Sequence, residues 1–209
     1  MAALASAHTN APNLTPVLLW LGPAKTHGMI EKMDETAAAS ITGLWLTWLR
    51  EQGVLVIDHH LSFQQLAEEA QAKGWVHSTW LQTRNTYAVI DVPSIAATLR
   101  PALDPEIYDT QHVLWTELHV FFTNDVNSCS FGETPAAGMG PEIWANGKPS
   151  NSAVMHLNID AMALEATHVV DAAAAKRWNT LGGVQGLFLD YFGDRLVYLR
   201  ESLNYKTYW

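Results

Sequence analysis

Two hydrophobic periods run through the chain, and their alternation predicts an α+β protein. Residues 17–21 form a short apolar run closed by Gly22-Pro23, which reads as a strand. Leu44, Trp45, Trp48 and Leu49 then fall on one helical face, predicting a helix over about 35–52. Asp34 is its expected cap, and Gly53 its stop. Residues 54–58 follow as an unbroken aliphatic run ending in an acid, as expected of a strand covered on both faces. Ser62 is the expected cap of a helix through Lys73, with Phe63, Leu66, Ala67 and Ala70 on its apolar side. Residues 75–81 and 86–92 read as a hairpin turning at 83–85, and a short helix follows from Ser94. The expected core includes Leu44, Trp48, Val54, Val56, Ile57, Leu66, Val89, Ile90 and Leu118.

Past residue 105 the texture changes. Residues 112–122 alternate as a long strand, with Val113, Trp115, Glu117, His119 and Phe121 on one face. A glycine-rich stretch over 123–152 has no regular period. Residues 154–159 read as a strand, and Asp160 as the cap of a helix over 161–170. An alanine run leads into an apolar, helical region through Phe192, and 196–199 into a last strand. The reading is therefore a flexible start over 1–13, a first α/β part over 14–104, and a second, smaller α+β part over 105–209. The fold class is a mixed sheet flanked by helices.

Composition narrows the function. The chain has 209 residues, 48% hydrophobic and 16% charged, which is globular usage. A net charge of −9 with no basic patch argues against nucleic acid or an anionic membrane as partner. No apolar run is long enough for a membrane span or a signal peptide, so the expected location is the cytoplasm. The single cysteine, Cys129, excludes an internal disulfide framework and has no basic neighbour in sequence to activate it. Nine tryptophans are many for this length. They suit core packing, a groove for a small-molecule ligand, or a homo-oligomer interface.

The order strand, helix, strand, helix, hairpin over 16–92 resembles the back half of the GCN5-related N-acetyltransferase fold. Two phrases carry the likeness: Arg50-Glu51-Gln52-Gly53 at the end of the first helix, and Gly74-Trp75 after the second. Residues 86–101 also look like the link to a sterol-carrier-like domain in some acetyltransferases, which would place a variant of that domain in the second part. The resemblance implies an acyl-CoA-dependent N-acyltransferase, divergent or degenerate, acting on a small amine. Acetyl-CoA or another acyl-CoA would be its cofactor, expected near loop 23–33. The family's glycine-rich cofactor turn is not recognisable there; only Gly22 and Gly28 stand nearby.

Asp58, His59 and His60 are the sharpest local cluster, and they are the expected catalytic residues. They sit at a strand's C-terminal end, where open α/β sheets place ligands. A histidine there suits a general base, with Asp58 orienting it or holding the turn. The plainer alternative is a polar turn with Asp58 bonded to nearby amides. The triplet also resembles the signature of the DHH phosphoesterases, making a fragment of that type a second alternative, but none of the upstream acids Glu31, Asp34, Glu35 and Glu51 sits in a DxD. Glu117, His119 and His156 form a weaker metal-type set, for which a solvated strand face is the simpler reading, and no metal site is assigned. His27-Gly28 reads as a turn. A non-catalytic module binding a ligand or protein in a tryptophan-lined groove is the alternative function.

Overall fold

The computed structural model describes residues 2–21, 35–75, 87–102, 106, 111–118, 120–126, 131, 133–141, 149–180 and 183–200. These residues form an α+β architecture of two sheets flanked by helices. The segment expected to be loose at the N terminus forms a helix, α1 (Ala2–Asn10). It is tied down: Asn10 Nδ2 donates to the Phe122 carbonyl at 2.7 Å, and the Phe122 amide donates to Ser6 Oγ at 3.0 Å. Strand β1 (Val17–Trp20) and strand β2 (Leu55–Asp58) pair in parallel, from Val17↔Leu55 to Trp20↔Asp58, as two adjacent strands separated in sequence by helix α2 (Glu35–Glu51). Gly53, at φ 78, makes the turn out of α2, a conformation only glycine adopts without steric cost.

Helix α3 (Gln64–Ala72) matches expectation, with Phe63, Ala67 and Ala70 buried. The expected strand over 86–92 does not form. Residues 88–90 make a 3-10 turn, and helix α4 (Val92–Leu99) starts directly after Asp91. An apolar run of that length fits a buried helical segment as well as a strand. Pro93, in the first turn of α4, favours the outcome, since proline suits a first helical turn. The expected turn at 83–85, strand 76–81 and loop 23–33 lie outside the described residues.

The second sheet has the order β3 (His112–Thr116), β5 (Pro149–Asn158), β4 (Ala137–Pro141), β6 (Val197–Tyr198). Strand β5 is antiparallel to both neighbours, whereas β4 and β6 are parallel, so the sheet is mixed. Helix α5 (Ile159–Ala175) begins one residue after β5. Its cap is Asn158, whose Oδ1 accepts from the Ala161 amide at 3.0 Å, in place of the expected Asp160. The alanine run carries α5 beyond the expected end at 170, as its helix propensity allows. Helix α6 (Val184–Phe192) follows.

The core lies where α5 and α6 cover one face of this sheet. Met139, Met155 and Leu157 meet Met162, Val169, Leu187 and Phe188 there, all fully buried. Each such side chain contributes about 1.5–3 kcal/mol of burial. The same cluster reaches Phe63, Tyr87, Val89 and Ile90, so it draws on residues from both sides of position 105. Val54, Val89 and Ile90 are buried as expected, but Leu44 is 71% exposed and Leu118 is 80% exposed. Leu44 lies on a helix attached to a sheet that has two strands among the described residues, and Leu118 lies past the end of β3. Leu66 is also exposed. Among the described residues, no helix is long and apolar enough to cross a membrane.

Candidate functional site

The end of β2 directs its three polar residues to different fates. Asp58 is exposed and pairs through its backbone with Trp20. His60 is exposed. His59 is held: its amide donates to the Trp20 carbonyl at 2.9 Å, and its Nε2 lies 2.8 Å from Oδ2 of Asp91. Asp91 is 4% exposed and sits at the start of α4. Its carboxylate also accepts from the Ser62 amide at 2.7 Å and from Ser62 Oγ at 2.6 Å. One buried acid thus ties the β2–α3 turn to α4 with three hydrogen bonds. Charge-assisted bonds of this kind are the strong ones.

The order of partners decides what the cluster can do. In a nucleophilic triad the hydroxyl gives its proton to the imidazole, and the acid sits behind the imidazole. Here Ser62 gives its hydroxyl hydrogen to the acid, so Ser62 is not an activated nucleophile. Sequence reading found His59 and took Ser62 for a helix cap. It missed Asp91 by assigning 86–92 to a strand. The phrase Asp91-Val92-Pro93-Ser94, an acid before a proline in a first helical turn, was the available signal.

Arg100, just past α4, pairs with Asp160 at the start of α5, whereas Tyr87, before α4, meets Trp178 beyond the end of α5. The α4 helix therefore runs antiparallel to α5, with Asp91 toward the end away from the β5–α5 turn. That turn is also where β3 starts, because the Ile159 amide donates to the Gln111 carbonyl at 2.9 Å. Hence β3 ends, and β5 begins, at the end of the sheet away from that turn. Glu117 follows β3 there, its amide bonded to the Ala153 carbonyl at 2.9 Å. Asn151 and Ser152 are buried on the adjoining part of β5, and Asn151 Oδ1 accepts from the Ala153 amide at 2.9 Å. An aromatic group braces this end. Trp178 is stacked on Phe63 with centroids 5.0 Å apart and meets Tyr87 edge-on at 5.4 Å. Tyr87 Oη lies 2.9 Å from Thr180 Oγ1, and burial pushes its pKa up, partly offset by that bond. Arg177 and Trp178 both take left-handed backbone, φ 55 and 56, unusual for residues other than glycine.

Glu117 and His156, the described members of the weaker metal-type set, do not come together. His156 pairs in register with Leu114, and its ring stacks between His112 and Phe131, each at 4.6 Å. Its Nδ1 bonds Thr134 Oγ1 at 2.8 Å. Alternation puts Glu117 in phase with Val113 and Trp115, on the other face. His119, His27 and Cys129 lie outside the described residues. Among the described residues, no three His, Cys, Asp or Glu side chains gather as a metal site. The DHH reading loses its basis too, since His59 is committed to Asp91 and Asp58 stands apart.

No family model matches the sequence. No curated protein matches it either. Solved structures do. The chain is similar to the glycosyltransferase GlyE of Streptococcus pneumoniae TIGR4, with 17% identity and a TM-score of 0.59 over 98% of this chain and 42% of that one. The apo form of the same enzyme gives 14% identity and a TM-score of 0.52 over 96% and 42%. The chain thus spans less than half the length of these neighbours. These likenesses overturn the acetyltransferase and sterol-carrier resemblance, and with it the acyl-CoA-dependent N-acyltransferase. The strand, helix, strand order over 17–58 was read correctly, but it is shared by many α/β folds, and the closing hairpin strand that would have marked an acetyltransferase is helical at 88–99. At this level of identity the likeness is one of fold alone, and it covers nearly the whole chain.

Proposed function

We propose that the chain is a glycosyltransferase-type unit that binds a nucleotide-activated sugar at the end of β2. The supporting observation is the fold likeness along nearly the whole chain, to a protein described as a glycosyltransferase. Fold alone does not fix function, so the second support is local. The end of β2 holds His59 against the buried Asp91, and polar groups at the C-terminal ends of strands are where open α/β sheets bind ligands. In this reading His59 contacts the sugar, and the exposed Asp58 and His60 belong to the rim.

Thermal melting with UDP-glucose, UDP-galactose and GDP-mannose tests the reading. At about one hundred times Kd a ligand specific for the folded state adds about 2.7 kcal/mol, which for a chain of this size raises Tm by roughly 5–11 °C. The expected result is a saturable rise with at least one of these donors and none with free glucose. No rise with any nucleotide sugar at millimolar concentration would overturn the proposal. Binding without hydrolysis or transfer to any acceptor would reduce the chain to a sugar-nucleotide-binding module.

A further inference from the structure

The His59–Asp91 pair has a consequence for what this edge can recognise, resting on the reading that a sugar nucleotide binds there. An ionised carboxylate only accepts hydrogen bonds, so the neutral imidazole facing it must carry its proton on Nε2. That leaves Nδ1 with a lone pair. Nδ1 of His59 has no hydrogen-bond partner among the described residues, and the only fully buried unpartnered side-chain polar atom among them is Nε of Arg100. The His59 side chain as a whole is 18% exposed. Two further bonds from Ser62 hold the carboxylate, so it cannot turn away from the ring without breaking them.

We propose that Asp91 is a positioning residue that locks His59 in its Nε2–H form, and that His59 Nδ1 is the acceptor for a hydroxyl of the bound sugar. The site then selects ligands that present a donor at this point and discriminates against those with an ether or a deoxy carbon there. Selection of this type is strong because the unmatched polar group is left unpaired.

Two measurements decide it. Long-range ¹H–¹⁵N correlation on the ¹⁵N-labelled full chain, at a pH where His59 is neutral, should show the Nε2–H pattern; the Nδ1–H pattern would overturn the assignment outright. Calorimetry with UDP-glucose should then show roughly tenfold weaker binding for His59→Phe, the size of one hydrogen bond. His59→Asn, whose amide oxygen can stand near Nδ1, should lose less than His59→Gln, whose amide stands near Nε2. Wild-type binding that His59→Phe leaves unchanged sinks this inference but not the proposed function. If UDP-glucose does not bind the wild-type protein, the acceptor role falls, and the tautomer is still read from the spectrum. Melting curves of each variant identify any that fail to fold.

Discussion

Replacing Asp91 by alanine tests whether one buried acid holds the β2–α3 turn against α4. The substitution strands three donors: Ser62 Oγ at 2.6 Å, the Ser62 amide at 2.7 Å and His59 Nε2 at 2.8 Å. Bonds to a charged group are each worth about 1.5–3 kcal/mol net, so simple addition would give roughly 5–9 kcal/mol. Two effects lower that sum. Ser62 is exposed and His59 partly so, and the freed donors regain water. Removing the carboxylate also removes the several kcal/mol needed to keep a charge away from water. The expected loss is about 2–4 kcal/mol, a fall in Tm of roughly 4–16 °C at this chain length. Ser62→Ala removes one of the three bonds and should cost only about 1 kcal/mol. Urea titration followed by circular dichroism gives both values from shifts in midpoint. A loss below about 1 kcal/mol for Asp91→Ala, or an equal loss for Ser62→Ala, would refute the argument that the carboxylate is the common anchor.

Two other changes should be readable on the same instrument. Arg177 is exposed with φ 55 and lies over the Trp75 ring at 5.1 Å, so Arg177→Gly should be more stable than Arg177→Ala by about 1 kcal/mol, because only glycine relieves the left-handed backbone; an alanine variant as stable as the glycine one would contradict this. Glu165 is held below the usual carboxylate range by hydrogen bonds from Tyr191 and then from Arg195, so the stability it contributes is present above the ordinary value of 4.5 and is lost as pH falls through the lowered one. Tyr191→Phe should therefore move the acid-unfolding midpoint upward, and an unchanged midpoint would show that the bond is not formed in solution.

What the sequence disclosed follows from the range of each interaction. Strands 17–20 and 55–58, and the helix between them, were legible because period and glycine punctuation are local signals. His59 was legible as a residue at a strand end. Asp91 was not, since its partners lie 29 and 32 residues away, and the segment around it offers β-branched residues to either reading. The exposure of Leu44 and Leu66 was equally hidden: an apolar face predicts that something could cover it, not that the neighbouring sheet is wide enough to do so. The left-handed pair at 177–178 carries no glycine or asparagine to announce it. It is the packing of Trp178 on Phe63 and Tyr87 that accompanies this conformation.

The clasp between α1 and Phe122 also sets an order of events during synthesis. Asn10 and its acceptor are 112 residues apart. At ribosomal speeds of 5–20 residues per second, roughly 6–22 s pass between the making of one and the making of the other. In that interval Ser6 and Asn10 lack the backbone partner that fixes the helix in the finished fold. A nine-residue helix is marginal on its own. It must therefore form and dissolve repeatedly while β1 and β2, whose paired residues are only 38 positions apart, are already available to each other. Asn10 is made well before Phe122 and, by this clasp, is secured only after it.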